Sequence, residues 1–365
     1  MNAANKIICS VTNDLVYDQR MIRICTSLSR AGYAVLLVGR QYRHSPRLKQ
    51  YPFTQKRLHC FFRKGKWFYI EYNLRLFFFL LGQKAYLLCA IDLDTILPVL
   101  YASKIRGTKR VYDAHELFTE MKEVVSRPRI YRFWKWAARH AVPQFRLGYT
   151  VNKPIKDLLH QQYGVNYEVI RNVPVLEENA PSSKRLPYIL YQGAVNEGRS
   201  FETLIPAFKW IHLPLYIYGD GNFLDNAKSL VQQHGLQSKV IFKGKKEPEA
   251  LRKITAAATL GITLFEQAGL SNYYSLANRF FDYIHAGVPQ LCVAYPAYVE
   301  VNSHFEVAEL ILDLSPQNIA QSINSLLADS EKMQRLRSSC FGARGVYNWQ
   351  NEEKRLLNFY RHIFE

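Results

Sequence analysis

The chain has 365 residues, with 48 Lys and Arg against 30 Asp and Glu, a formal net charge of +18. Its 48% hydrophobic and 21% charged residues are those of a globular protein with a substantial core, and the length suggests two domains. The basic excess fits an acidic partner (nucleic acid, an anionic membrane or a phosphorylated ligand) or simply a basic proteome. The six cysteines include no CxxC pair, which indicates neither a disulfide framework nor a zinc site and fits a reducing cytoplasm.

In chain order, "KIICSV" (6–11) is an apolar run of strand length. Residues 19–31 carry Ile22, Cys25 and Leu28 at helical spacing, and "GYAVLLVGR" reads as a second buried strand. That βαβ unit implies a parallel sheet. No GxGxxG follows the first strand, so the dinucleotide fingerprint is absent. Residues 60–82 mix Arg63, Lys64, Lys66 and Arg75 with a dense aromatic and aliphatic run. The apolar stretch 77–91 is broken by Gln83 and Lys84 and falls short of the ~20 residues a membrane span needs. A strand at 85–91, a helix at 93–104 and a strand at 109–116 follow. Next come an Arg- and Trp-rich helix at 129–141 and strands at 146–152 and 167–173.

Residues 174–187 have proline, acid and serine but no apolar period, and read as a linker. Alternation then restarts with strands at 188–193, 213–221, 239–245, 259–265 and 289–295. Helices are expected at 200–209, 247–258, from Leu276, at 319–327 and at 351–363. The pattern is α/β: two Rossmann-like domains facing a central cleft, with ligands beyond the carboxyl ends of the strands. The boundaries read as 1–173, linker 174–187, 188–345, and a last helix 346–365 returning to the N-terminal domain.

Four stretches carry chemistry. In "SLANRFFDYIHAGVP" (275–289) a helix start would offer the amides of Leu276, Ala277 and Asn278 to an anion, with Arg279 adding charge. Asp282 follows four residues after Asn278 on the same face. It is either a hydrogen-bond acceptor for a ribose diol or an ordinary first-turn acid. In "YQGAVNEGRSFETL" (191–204), Gly193 lets backbone approach a ligand and Arg199 stands near a helix start. "YIYGDGN" (216–222) is a second glycine turn after a strand. "VYDAHELFTE" (111–120) sets His115 at a strand end, as a sugar contact, a proton shuttle or a structural histidine.

Together, and in their order along the chain, these stretches resemble the group 1 glycosyltransferases of the GT-B fold, the retaining family-4 type, over nearly the whole chain. The resemblance implies a C-terminal domain that binds a nucleotide-diphosphate sugar, UDP- or GDP-linked, and an N-terminal domain that binds the acceptor. It implies backbone phosphate contacts near Leu276–Asn278, Asp282 on the ribose and His115 on the donor sugar. Arg199 would meet the diphosphate charge. No cofactor or metal is expected: the DxD of "AIDLDT" (90–95) reads as N-terminal acids of the following helix, Asp92 or Asp94. Four positions depart from the family pattern: Ala194 after the first glycine, Tyr274 at the site of the first of two paired acids, and Ala277 and Arg279 in place of a proline and a lysine.

The implied activity is sugar transfer, with retention, to a glycan or lipid-linked acceptor in cell-surface polysaccharide or glycolipid synthesis. A nucleotide-sugar 2-epimerase-like enzyme and a non-catalytic nucleotide-sugar-binding subunit remain alternatives. No helix-turn-helix, RRM or zinc-finger pattern points to nucleic acid. The basic aromatic segments 60–82 and 127–140 point to an anionic membrane surface. The expected location is therefore cytoplasmic, peripheral at the inner face of the cell membrane.

Overall fold

The computed structural model describes residues 5–16, 18–178, 184–267 and 269–365. The chain forms two compact units, one running to Asn172 and including Glu352–Glu365, the other spanning Val173–Asn351. Part of the expected linker, 179–183, lies outside the described residues.

The first unit holds a seven-stranded parallel sheet, β1 (Lys6–Ser10), β2 (Ala34–Gln41), β3 (Thr54–His59), β4 (Leu87–Ile91), β5 (Lys109–Ala114), β6 (Leu147–Thr150) and β7 (Glu168–Val169). The strand order is β3-β2-β1-β4-β5-β6-β7. β1 is central, which is why it is a continuous apolar run: it pairs Cys9 with Leu37 of β2 and with Cys89 of β4. Helix Gln19–Arg30 is capped by Asp18, whose carboxylate accepts from Met21 N at 3.0 Å. The chain's last helix, Trp349–Phe364, ends on this sheet. There the Tyr360 hydroxyl lies 3.3 Å from that of Tyr149, and Phe364 stacks 4.4 Å from Tyr86.

The sequence reading passed over helix Gly65–Leu81. That helix buries Phe68, Tyr72, Leu76 and Leu80, one per turn, yet also carries Trp67, Ile70, Leu74 and Phe78 exposed. Apolar residues on both faces erase the 3.6-residue contrast that signals a surface helix. β3 was missed for the opposite reason: as an edge strand it carries Gln, Lys and Arg.

The second unit holds a six-stranded parallel sheet, β8 (Leu186–Gln192), β9 (Leu215–Tyr218), β10 (Val240–Phe242), β11 (Ala258–Thr263), β12 (Gln290–Val293) and β13 (Ala308–Ile311). Its order, β10-β9-β8-β11-β12-β13, reverses direction beside β8 and β11. Such a switch point leaves a crevice at the carboxyl ends of the central strands. The core beneath is large and aromatic, with Tyr191, Phe201, Phe208, Phe265 and Phe280 fully buried.

Candidate functional site

In the second unit the predicted residues gather at the carboxyl ends of β8 and β11. Gly193 follows β8 with φ 120°, a conformation that favours glycine. Its N–H donates to the Tyr218 carbonyl at 2.9 Å, tying the first glycine turn to the second. The glycines of that second turn are required by proximity. A Cβ on Gly219 would lie 1.8 Å from the Gly193 oxygen, and one on Gly221 would lie 2.2 Å from Asn196 Oδ1. Asn196 and Asn222 complete the brace, each accepting at 3.1 Å from the opposite backbone. The two glycine motifs are therefore one structural object.

Arg279 lies under this turn. It is 7% exposed, with Nη1 and Nη2 each 3.4 Å from the carbonyls of Gln192 and Leu264. Its guanidinium packs 4.4 Å from the Tyr191 ring and 4.5 Å from Phe265. Arg199 meets the same Phe265 ring at 4.6 Å. Two cations thus converge on one phenyl ring. A Cβ on Gly193 would sit 3.5 Å from Arg279 Nη1, so the buried positive charge lies directly against the glycine turn.

The helix expected from Leu276 begins at Asn278 and runs to His285. Ala277 is extended, at φ −70° and ψ 141°, and a separate turn occupies Leu270–Tyr273. The Ala277 N–H is engaged, donating to the Tyr298 hydroxyl at 3.0 Å, so the phosphate cradle anticipated there loses one of its amides. Leu276 packs against the core. Asp282 is half-buried, and its Oδ2 accepts from Gln192 Nε2 at 2.9 Å. Gln192 Oε1 in turn accepts from the Thr255 hydroxyl at 2.6 Å. This relay of two buried polar residues fixes the carboxylate and was not foreseen. Its one sequence signal was a glutamine closing the apolar run of β8.

In the first unit His115 follows β5 and sits in a dense charged cluster. Its Nε2 is 2.9 Å from Asp113 Oδ2, and its Nδ1 is 3.5 Å from Asp92 Oδ2. Asp113 is fully buried and pairs with the buried Arg20 at 3.0 Å. Asp92, at φ 55° after β4, accepts from the His115 N–H at 2.8 Å. The Thr12 hydroxyl donates to Asp94. Asp92 and Asp94 lie at the start of the following helical segment as expected, Asp92 before the turn Leu93–Thr95 and Asp94 within it, but the Asp92 side chain makes no cap hydrogen bond and its carboxylate faces His115 instead.

Burial alone would lower the His115 pKa, but the Asp113 and Asp92 carboxylates outweigh it and raise it to about 9. Burial pushes Asp92 up to about 6 and Asp94 up to about 7. At neutral pH His115 is a cation whose two nitrogens face carboxylates. It is suited to donate a hydrogen bond and poorly suited to accept a proton, which disfavours the shuttle reading.

Residues 176–339 match the family model described as glycosyl transferases group 1. No curated protein matches significantly. Among solved structures, the chain is similar to a glycosyltransferase from Rickettsia africae ESF-5, at 12% identity and TM-score 0.76 over 99% of this chain and 98% of that one. It is similar to a sucrose-phosphate synthase from Thermosynechococcus elongatus, at 15% identity and TM-score 0.77 over 99% of both chains. It is also similar to Anabaena Alr3699/HepE in complex with UDP and glucose, at 14% identity and TM-score 0.77 over 97% of this chain and 99% of that one. The chain thus has the two-domain GT-B fold, and its residues 176–339 are similar to the group 1 glycosyl transferases.

Proposed function

We propose that this protein transfers a sugar from a nucleotide-diphosphate donor, UDP-linked in the first instance, to a glycan or lipid-linked acceptor with retention. The observation that carries the reading is the convergence of the Gly193 turn, Arg279, Arg199 and the Gln192-held Asp282 inside the family-matched segment. The UDP bound in the Anabaena structure supports the choice of base.

In this reading Gly193 lets the chain close on the diphosphate, and the Asp282 carboxylate that Gln192 holds accepts from the ribose hydroxyls. Arg199, Arg279 and the start of helix Asn278–His285 balance the leaving charge, without a metal. The sugar C1–O bond to phosphate breaks as the acceptor oxygen bonds C1 on the same face. The acceptor proton passes to a departing phosphate oxygen, and the nucleoside diphosphate leaves. His115 is assigned, as a cation, to a sugar hydroxyl. The lipid-linked branch of the reading places the enzyme in the cytoplasm at the anionic inner membrane surface.

The test combines calorimetry with UDP and GDP and product analysis with UDP-glucose. Asp282→Ala should weaken the better nucleotide by about 1.5–3 kcal/mol, tenfold or more, while the fold survives. Unchanged affinity would sink the ribose assignment. NMR of the transferred sugar should show the donor's anomeric configuration kept. Ala194 and Tyr274 favour a second reading, a binding subunit. Tight UDP-glucose binding with no turnover on any acceptor would select it, and release of free sugar without acceptor would select an epimerase-like relative.

A further inference from the structure

A cavity of about 1040 Å³ opens in the first unit beyond the carboxyl ends of β1, β2 and β3. Its lining includes Arg40, Arg43, Arg63, His44 and His59, against two carboxylates, Asp14 and Asp18. Both carboxylates are committed elsewhere. Asp14 pairs with Arg57 at 2.5 Å and accepts from the Ser45 hydroxyl. Asp18 caps its helix. Among the described residues none of the three lining arginines is in a salt bridge, so the cavity keeps a net positive charge.

Arg40 is built in rather than draped over the surface. It is 4% exposed, its guanidinium 3.7 Å from the Phe68 ring and 4.3 Å from Tyr42. Its Nη2 donates to the carbonyls of Phe62 and Arg63 at 3.2 and 2.6 Å, which fixes the loop that bears Arg63. Its Nε has no hydrogen-bond partner among the described residues. Burying a cation without a counter-charge is costly, and an anion in the cavity offsets that cost. The loop that carries Arg63 also carries Phe61 and Phe62, exposed at 75% and 49%. Arginine forks suit a phosphate, and exposed aromatics suit the sugar or hydrocarbon that bears it.

We propose that this cavity holds the phosphate of a phosphate-ester acceptor, which rests on the glycosyltransferase reading and narrows its acceptor class. Two sources share that chemistry, a soluble sugar phosphate and a phosphorylated lipid. The test is calorimetry on the full chain in excess UDP, so that the nucleotide site is filled, with glucose 1-phosphate and farnesyl phosphate as probes and inorganic phosphate as competitor. Saturable ester binding is expected, displaced by inorganic phosphate and at least tenfold weaker in the double variant Arg43→Glu, Arg63→Glu. Both side chains are exposed, so the variant should fold. Tighter glucose 1-phosphate identifies the soluble source, and tighter farnesyl phosphate the lipid. Equal affinity in the variant, or no ester binding by a chain that does bind UDP, overturns this proposal alone. Failure to bind UDP would instead remove the reading beneath it.

Discussion

The two units repeat one architecture, a parallel sheet with a site at its carboxyl edge, but build that edge from different material. The second unit uses backbone. Gly193, Gly219 and Gly221 bring two turns within a distance that no side chain would permit, and carbonyls hold Arg279. The first unit uses charged side chains, Arg20, Asp113, His115 and Asp92, in one partly buried network beside the buried Asp94. Their outer surfaces differ as well. Among the described residues, Tyr42, Phe61, Phe62, Trp67, Phe78, Tyr101, Phe133 and Trp136 are exposed aromatics of the first unit, against Trp210 and Phe341 of the second. A backbone site tolerates pH and fails by steric intrusion, whereas a charged site tolerates small changes of volume and fails by protonation or loss of a partner.

The largest expected effect tests the charged side of that contrast. Asp113→Asn keeps the shape but strips the counter-charge from Arg20 and one of the two from His115, leaving the buried Arg20 uncompensated. The first unit should lose about 3–5 kcal/mol. Calorimetric melting should show its transition falling while UDP still binds the second unit; an unshifted transition would mean the network carries little stability. The matching blow to the second unit is Gly219→Ala, whose Cβ would meet the Gly193 oxygen at 1.8 Å. Overpacking against backbone costs roughly 1–3 kcal/mol, which should appear mainly as lost UDP affinity. Gly82→Ala in the first unit is the control, since its Cβ would meet nothing closer than 3.5 Å. If both alanines behave alike, close backbone approach is not what shapes the nucleotide site.

The same contrast sets what could be read from the sequence. The backbone site was partly legible: Gly193 stands out as a glycine turn after an apolar run, while Arg199 and Asp282 stand out only as charges near helix starts, and their proposed roles come from the family resemblance. The Gln192–Thr255 pair was not legible, because its members are 63 residues apart and neither is unusual in its own element. The charged network was illegible for the same reason, with Arg20 and Asp113 separated by 93 residues. The place of Asp92 and Asp94 at a helix start was legible, but not that the Asp92 carboxylate turns to His115, 23 residues away. Arg279 was found, but that its side chain turns inward beneath the Gly193 turn follows from packing that only the folded sheet defines.

The network also gives the first unit a pH signature opposite in sign to that of His285 in the second, whose pKa burial lowers. His115 is raised to about 9, so its contribution is fully present below its unfolded value near 6.5 and is lost as pH rises through about 9. Asp92 and Asp94, raised to about 6 and 7, act in the same direction, favouring the folded state below their unfolded values and losing that as pH rises through about 6–7. The first unit should therefore lose stability from about pH 4 to 9, through the two carboxyls up to about pH 7 and through His115 from about 6.5 to 9, by up to roughly 1.4 kcal/mol per pH unit for each proton released on unfolding. His115→Gln should flatten the upper half of that slope in melting curves. A slope that survives unchanged above pH 7 would remove His115 as its source.

The smallest expected effect concerns the outer surface. Helix Ile96–Arg106 packs against both Gly65–Leu81 and Pro128–Ala141, and Tyr69 meets Trp134 edge-on at 5.5 Å across the latter two. The exposed Trp67, Ile70, Leu74, Phe78, Phe133 and Trp136 therefore belong to neighbouring helices of one unit. Arg129, Arg132, Lys64 and Lys66 on the same segments are exposed. Among the described residues no helix is long and apolar enough to cross a membrane. A surface of aromatics edged with cations suits an anionic bilayer, each Lys or Arg near it contributing about 1 kcal/mol. Flotation with phosphatidylglycerol vesicles should recover the protein, phosphatidylcholine vesicles should not, and added salt should weaken recovery. Arg129→Glu with Arg132→Glu should cut binding by a factor of ten or more, at about fivefold per charge lost. The mirror test places Glu on the second unit at Lys228 and Lys253, which should change nothing. If both pairs weaken flotation equally, the attraction belongs to the net charge of the chain and not to the aromatic surface of its first unit.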